Sequence, residues 1–109
     1  MTVSVYDGNV KGQWLVALTI SPAAVAANTT AEQTFSLPGL QTTDFLSGII
    51  KPTQQAGLGI VGARISAVDT IAITFSNNTG ASITPTASQT YLVEVIRPDG
   101  VTLPTSIPR

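Results

Sequence analysis

The sequence predicts an all-β protein: an antiparallel β-sandwich, jelly-roll or immunoglobulin-like, of about seven to eight strands with extended terminal arms. Three observations carry this expectation. Apolar and polar residues alternate with period two in several runs, the pattern of a strand with one face buried. Turn residues interrupt these runs roughly every eight to twelve positions, the spacing of short antiparallel strands. No stretch reads as a helix, because the one alanine-rich segment, Ala23–Ala31, is broken by Asn28-Thr29-Thr30 before a third turn.

Residues 1–12 are polar and glycine-containing, with Val3, Val5 and Tyr6 as anchors, and read as an extended arm. Gln13–Ile20 alternates Trp14, Val16, Leu18 and Ile20 against Leu15, Ala17 and Thr19. With one face strongly apolar and the other nearly so, this strand is expected to be buried on both sides. Pro22 ends it. Ala23–Ala31 then leads as an extended segment into Glu32–Leu37, where Phe35 and Leu37 face inward and Glu32, Thr34 and Ser36 outward. Pro38-Gly39 stops that strand.

Asp44–Lys51 is the next strand, its buried set beginning at Phe45 or Leu46, and Gly48 within it signals a bulge or a close backbone approach. After the loop that Pro52 opens comes the clearest local signal in the chain. Ala63, Ile65 and Ala67, then Ile71, Ile73 and Phe75, fall on one parity, with turn chemistry at Val68-Asp69 and Asn77-Asn78-Thr79-Gly80. This is a β-hairpin. Ala81–Ala87 can carry a short edge strand around Ile83, limited by Pro85. Gln89–Ile96 places Tyr91, Val93 and Val95 on one face and Leu92, Glu94 and Ile96 on the other, and Arg97-Pro98-Asp99-Gly100 turns the chain. The expected organisation is therefore an arm at 1–12, a body at 13–97 and an extended tail at 98–109.

Composition narrows the functional classes. Charged residues form 10% of the 109-residue chain, against roughly 25% in ordinary globular proteins. Threonine, serine, asparagine and glutamine supply the polar surface, which suits neutral sheet faces or packing against other chains. A net charge of −1 with scattered Lys and Arg gives no basic stripe, so no nucleic-acid partner is expected. No apolar run approaches 18 residues, so no membrane span is expected, and MTVSVYDGNVKGQ lacks the layout of a secretory signal. Cysteine is absent, which excludes disulfides and fits a reducing compartment.

The sequence carries little catalytic chemistry. Without histidine or cysteine there is no Ser-His-Asp or Cys-His arrangement and no zinc site of ordinary type. The six carboxylates, Asp7, Glu32, Asp44, Asp69, Glu94 and Asp99, lie mostly beside turns and show no setting for a catalytic pair. No acidic loop suits calcium. Gly57-Leu58-Gly59-Ile60-Val61-Gly62 meets the G-x-G-x-x-G spacing, yet it leads into a strand pattern instead of a helix, so no anion site lies beneath it. Its glycines are expected to serve backbone geometry. No catalytic residue, metal, cofactor or small-molecule substrate is expected. A carbohydrate-binding module would use Trp14 or Tyr91, but both fall within apolar strands and are expected in the core. Asn28-Thr29-Thr30 fits the N-glycosylation pattern and, with no secretory signal expected, carries no inference.

One resemblance is more specific. The runs AANTTAEQTFSLPGL and IKPTQQAGLGIVGARISAVDTIAITFSNNTGASITPTASQTYLVEVIR contain an Ala-Asn-Thr-Thr-x-x-Gln stretch, a Lys-Pro-x-x-Gln-Ala-Gly-Leu-Gly run and a hairpin ending in Asn-x-Thr. In these, over about Ala26–Arg97, the chain resembles small structural proteins of tailed bacteriophages: capsid decoration (cement) proteins or related virion β-domains. The resemblance implies a β-sandwich on the outer surface of the major capsid protein shell, made in the host cytoplasm, often a homotrimer, with no catalytic residue. Met1–Lys11, with Val3, Val5, Tyr6 and Lys11 as contacts, and Val101–Arg109 are expected to reach the capsid or a neighbouring copy. The alternative expectation is a head-fibre or tail adhesion module that binds host glycans; a small hydrolase has only the scattered carboxylates behind it.

Overall fold

The structure is a computed structural model, and it describes residues 8–100 and 102–107. It is all-β, with no helix among the described residues. Among the described residues six strands form, in chain order: β1 (Val10–Ile20), β2 (Thr29–Ser36), β3 (Phe45–Ile50), β4 (Leu58–Ala67), β5 (Thr70–Asn77) and β6 (Gln89–Pro98). They make two antiparallel three-stranded sheets, ordered β1-β6-β3 and β2-β5-β4. The count is six rather than seven to eight because the Ile83 segment contributes only an isolated bridge to Val25. Buried Pro85, which has no N–H to give to a ladder, stops it growing into a strand.

Alternation explains which side chains turn inward. From β6 come Tyr91, Val93 and Val95, from β1 Leu18 and Ile20, and from β5 Ile71, Ile73 and Phe75, all in one hydrophobic cluster fed by both sheets. The hairpin of β4 and β5 forms as its pattern requires. Ala63 faces Ile73 and Ile65 faces Ile71, and the chain reverses at Val68-Asp69, where Asp69 takes φ 59°. Bulges keep the pattern inward where strict alternation would lose it. On β3 the register shifts between Leu46 and Gly48, so Leu46 and Ile49, three apart, both reach the core, as Gly48 foreshadowed. Leu46 therefore begins the buried set, and Phe45 is exposed. On β4 the shift between Ile60 and Gly62 has the same effect for Ile60 and Ala63.

The glycine run opens a strand, as its pattern indicated, and Gly57 is the member with a strict need. Its φ is +80°, and a Cβ there would collide with the Thr79 side chain. Nearby, buried Asn77 closes the end of β5 with its whole amide. Its Nδ2 donates to the carbonyls of Val25 (3.0 Å) and Ala81 (2.8 Å), while its Oδ1 accepts from Thr79 N (2.9 Å) and Thr79 Oγ1 (2.7 Å). The residue expected only to turn the chain also fastens the Val25 and Ala81 segments to the sheet.

Several boundaries differ from expectation: β2 is Thr29–Ser36 where Glu32–Leu37 was expected, and β3 is one residue shorter at each end. β1 begins at Val10, so Lys11 and Gly12 belong to the strand, Val10 pairing with Pro98 and Gly12 with Arg97. β6 runs through Pro98, which places Arg97 in the strand instead of in a turn.

Candidate functional site

Two surfaces stand out, and both grow from β1 and β6. The first is a cavity of about 260 Å³ at one end of the sheets, lined by Trp14, Val16, Leu37, Pro38, Gly39, Leu40, Asp44, Val95 and Arg97. Trp14 has the inward parity of Val16 and Leu18 but is 44% exposed, so its expected place in the core is corrected. The reason is local: at this end β2 has stopped at Ser36, and the Leu37–Asp44 loop replaces a facing strand. The indole lies over Gly12, where a Cβ would come within 2.5 Å of it. The Arg97 guanidinium stands 4.9 Å from the ring centroid, within cation–π range.

Arg97 reaches this position because it continues the inward parity of Tyr91, Val93 and Val95. Its Nε and Nη2 bind Asp44 Oδ1 and Oδ2, both at 2.8 Å, in a bidentate pair. Nη2 also donates to Gly39 O at 2.9 Å, and Gln41 N donates to Asp44 Oδ2 at 3.0 Å. The Asp44 side chain has no exposed area, whereas that of Arg97 keeps 23%. The hydrogen bond from Arg97 holds the Asp44 carboxyl below the usual carboxylate range, against the opposing effect of burial. A cation at an inward strand position was the sequence signal for this pair. Chemically, the carboxylate is engaged on both oxygens and the remaining walls are carbon, so the cavity suits an apolar or planar group more than a reacting bond.

The second surface is the outer face of β1-β6-β3. Cross-strand register sets Ala17, Leu92 and Ile50 in one row and Gln13, Ile96 and Phe45 in another. Leu15 is 75% exposed, Ile50 61%, Phe45 60% and Leu92 46%. The expectation that β1 is buried on both sides is thus corrected: the core covers one face, and no described residue covers the other. Glu94 lies between the two rows, opposite Leu15. Ser47 Oγ donates to Glu94 Oε1 at 2.5 Å and Gln13 Nε2 to Oε2 at 2.9 Å. These bonds, that of Ser47 foremost, hold the Glu94 carboxyl low.

Of the residues expected to make contacts, Val3, Val5 and Tyr6 lie outside the described residues, and Lys11 is exposed on β1. Tyr91, the other aromatic that a glycan site would need, is fully buried. Each of Glu32, Asp44, Asp69 and Glu94 has its own local partner: Arg64, Arg97, the Gly39 amide, and the Ser47–Gln13 pair. Among the described residues no three acidic side chains cluster to hold a metal, and no helix is long and apolar enough to cross a membrane. Compared with known families, curated proteins and solved structures, the chain matches none of them.

Proposed function

We propose that this chain is a structural protein of a tailed-bacteriophage virion, a decoration protein that binds the outer surface of the major capsid protein shell. In this reading it has no enzymatic activity. It holds adjacent capsid subunits together by adding buried interface to the assembled state, which mass action then favours. The observation that carries the reading is the outer face of β1-β6-β3. Leu15, Phe45, Ile50 and Leu92 are all exposed there, in the Glu94 row and on both sides of it, and exposed apolar side chains grouped on one face mark protein interaction sites. The quoted resemblance supports it too, since its residues fall on β2 to β6 and the connections between them.

The pairing pattern supports a β-sandwich of jelly-roll form over an immunoglobulin-like one. β1 pairs with β6 and β2 with β5, the nesting of one long antiparallel ribbon whose successive pairs alternate between sheets. Self-association belongs to the reading as well, and the resemblance points to a homotrimer. The partners are then the capsid shell and other copies, with no nucleic acid, membrane, cofactor or small-molecule substrate, and the protein is made in the host cytoplasm and carried on the virion.

Co-sedimentation with capsids of the encoding phage tests this. The protein is expected to pellet with them and raise the temperature at which they rupture, and Leu92→Glu is expected to abolish both effects while the isolated protein stays folded. Failure of the unmodified protein to pellet would sink the reading. Exposure of Trp14 in a concave cavity favours a second reading, a head-fibre or tail adhesion module that stacks a host glycan on the indole. Glycan-array binding that is lost in Trp14→Ala, with folding intact, would select it.

A further inference from the structure

Four strands lie at sheet edges, and three of these are blunted. β3 is short and bulged at Leu46–Gly48. β4 carries two register shifts and the charge of Arg64. β2 carries Glu32, and its Gln33 amide binds both backbone groups of Ala23, 2.7 Å from N and 2.9 Å from O, which draws the Ser21–Asn28 connection against it. Bulges, charges, shortness and covering loops are the ordinary means by which an edge avoids pairing with another chain. Among the described residues, β1 has none of them over most of its length. Its 11 residues extend about 36 Å. From Gly12 to Ile20 it is uncharged, proline-free and in unbroken register with β6. The side chains of Gln13 and Thr19 bond to Glu94 and Thr90, inward across the sheet, and no described side chain hydrogen-bonds to the backbone of this stretch.

We propose that this edge pairs with β1 of a second copy, antiparallel, with Leu15 facing Leu15 of the second copy across a two-fold axis. The strand is self-complementary about that point. Lys11 faces Thr19 of the second copy, so no like charges meet; Gln13 faces Ala17, and Trp14 faces Val16. The exposed Leu15 side chains cover one another on the outer face, and Val16 of the second copy covers the open edge of the Trp14 indole. The result is a continuous six-stranded sheet with roughly one new backbone hydrogen bond per residue pair. Such pairing is isologous and closes at two copies, so it departs from the threefold arrangement that the resemblance carries. It shares with the proposed function only that copies associate, replaces the threefold arrangement by a twofold one, and does not depend on capsid binding.

The absence of cysteine provides a clean test. Leu15→Cys puts two thiols opposite each other in adjacent strands, within the separation a disulfide spans. Mild oxidation is expected to convert the protein to a linked dimer on a non-reducing gel, whereas Ser66→Cys on β4 stays unlinked. Light scattering on the unmodified protein is expected to give twice the chain mass at high concentration, halved in Leu15→Lys with an unchanged circular dichroism spectrum. A trimer mass, a strict monomer, or equal cross-linking at positions 15 and 66 would overturn the proposal. Capsid co-sedimentation without cross-linking at position 15 removes this inference and leaves the functional reading, and the converse result does the reverse.

Discussion

The outer faces of the two sheets differ where their inner faces agree. On β2-β5-β4 the outward residues are Thr30, Thr34, Ser36, Thr70, Thr74 and Ser76, with Glu32 bound to Arg64 through both its oxygens at 2.7 and 2.9 Å. On β1-β6-β3 the same outward positions hold Leu15, Leu92, Ile96, Phe45 and Ile50 around one hydrogen-bonded carboxylate. Both sets of side chains are compatible with strands, since β-branched and aromatic residues pack well on a pleated surface. The hydroxyl face meets water mostly through polar side chains, with Val61 of β4 as an exposed exception. The other face gains by losing contact with water, at about 25 cal/mol for each Å² of apolar surface covered. The contrast separates the buried faces that fold the chain from an apolar face left open to water.

Substitutions ranked by expected size test that separation. Phe75→Ala, in the fully buried centre of β5, is expected to cost about 4 kcal/mol in urea unfolding, because it leaves a cavity beneath both faces alike. A loss confined to binding, with stability unchanged, would break the comparison. Asp44→Ala is expected to cost about 2 kcal/mol, less than a fully buried pair because the Arg97 side chain keeps 23% exposure. Its pH dependence has a definite sign. The folded carboxyl titrates below its ordinary value, so its contribution is complete above the unfolded pKa of about 3.9 and disappears as pH falls through the lower folded value. The stability gap between native and Asp44→Ala protein should therefore close in acid, and a gap that persists there would place the effect in packing.

Tyr91→Phe is expected to stabilise by about 1 kcal/mol. The buried hydroxyl has no hydrogen-bond partner among the described residues, and burial pushes its pKa up. Destabilisation would show that the hydroxyl is bonded in solution. The smallest expected effect is the sharpest probe of the comparison: Leu92→Thr and Thr74→Leu exchange the chemistry of the two outer faces. Each should change stability by less than about 0.5 kcal/mol, while the first lowers and the second raises the binding of an apolar fluorescent dye. Dye binding that follows stability would mean that the outer faces are not independent of the core.

Much of this architecture was legible in the residues. The parity of Ile65, Ile71, Ile73 and Phe75, the turn at Val68-Asp69 and the bulge at Gly48 are local facts, decided by neighbours in sequence. The candidate surfaces were less legible because they depend on what lies opposite. Leu15 and Leu92 belong to strands apolar on both faces, a pattern that reads as burial on both sides until the number of layers is known. Trp14 shares the core parity, and only the end of β2 at Ser36 leaves it open. Arg97 follows a strong strand and precedes Pro98-Asp99-Gly100, so it resembled a turn residue. Its parity with Val95 was the available clue, and its partner Asp44 is 53 positions away.

The pairing of the first strand with the last has a consequence for engineering. Asn9 O accepts a hydrogen bond from Asp99 N at 2.5 Å, so the backbone enters β1 and leaves β6 at the same spot. A short linker could join those two points and the chain could be reopened at Val68-Asp69, giving a circular permutant with the same ladders in a different reading order. Cargo joined at Asn9 and at Asp99 would leave the molecule from one pole, side by side.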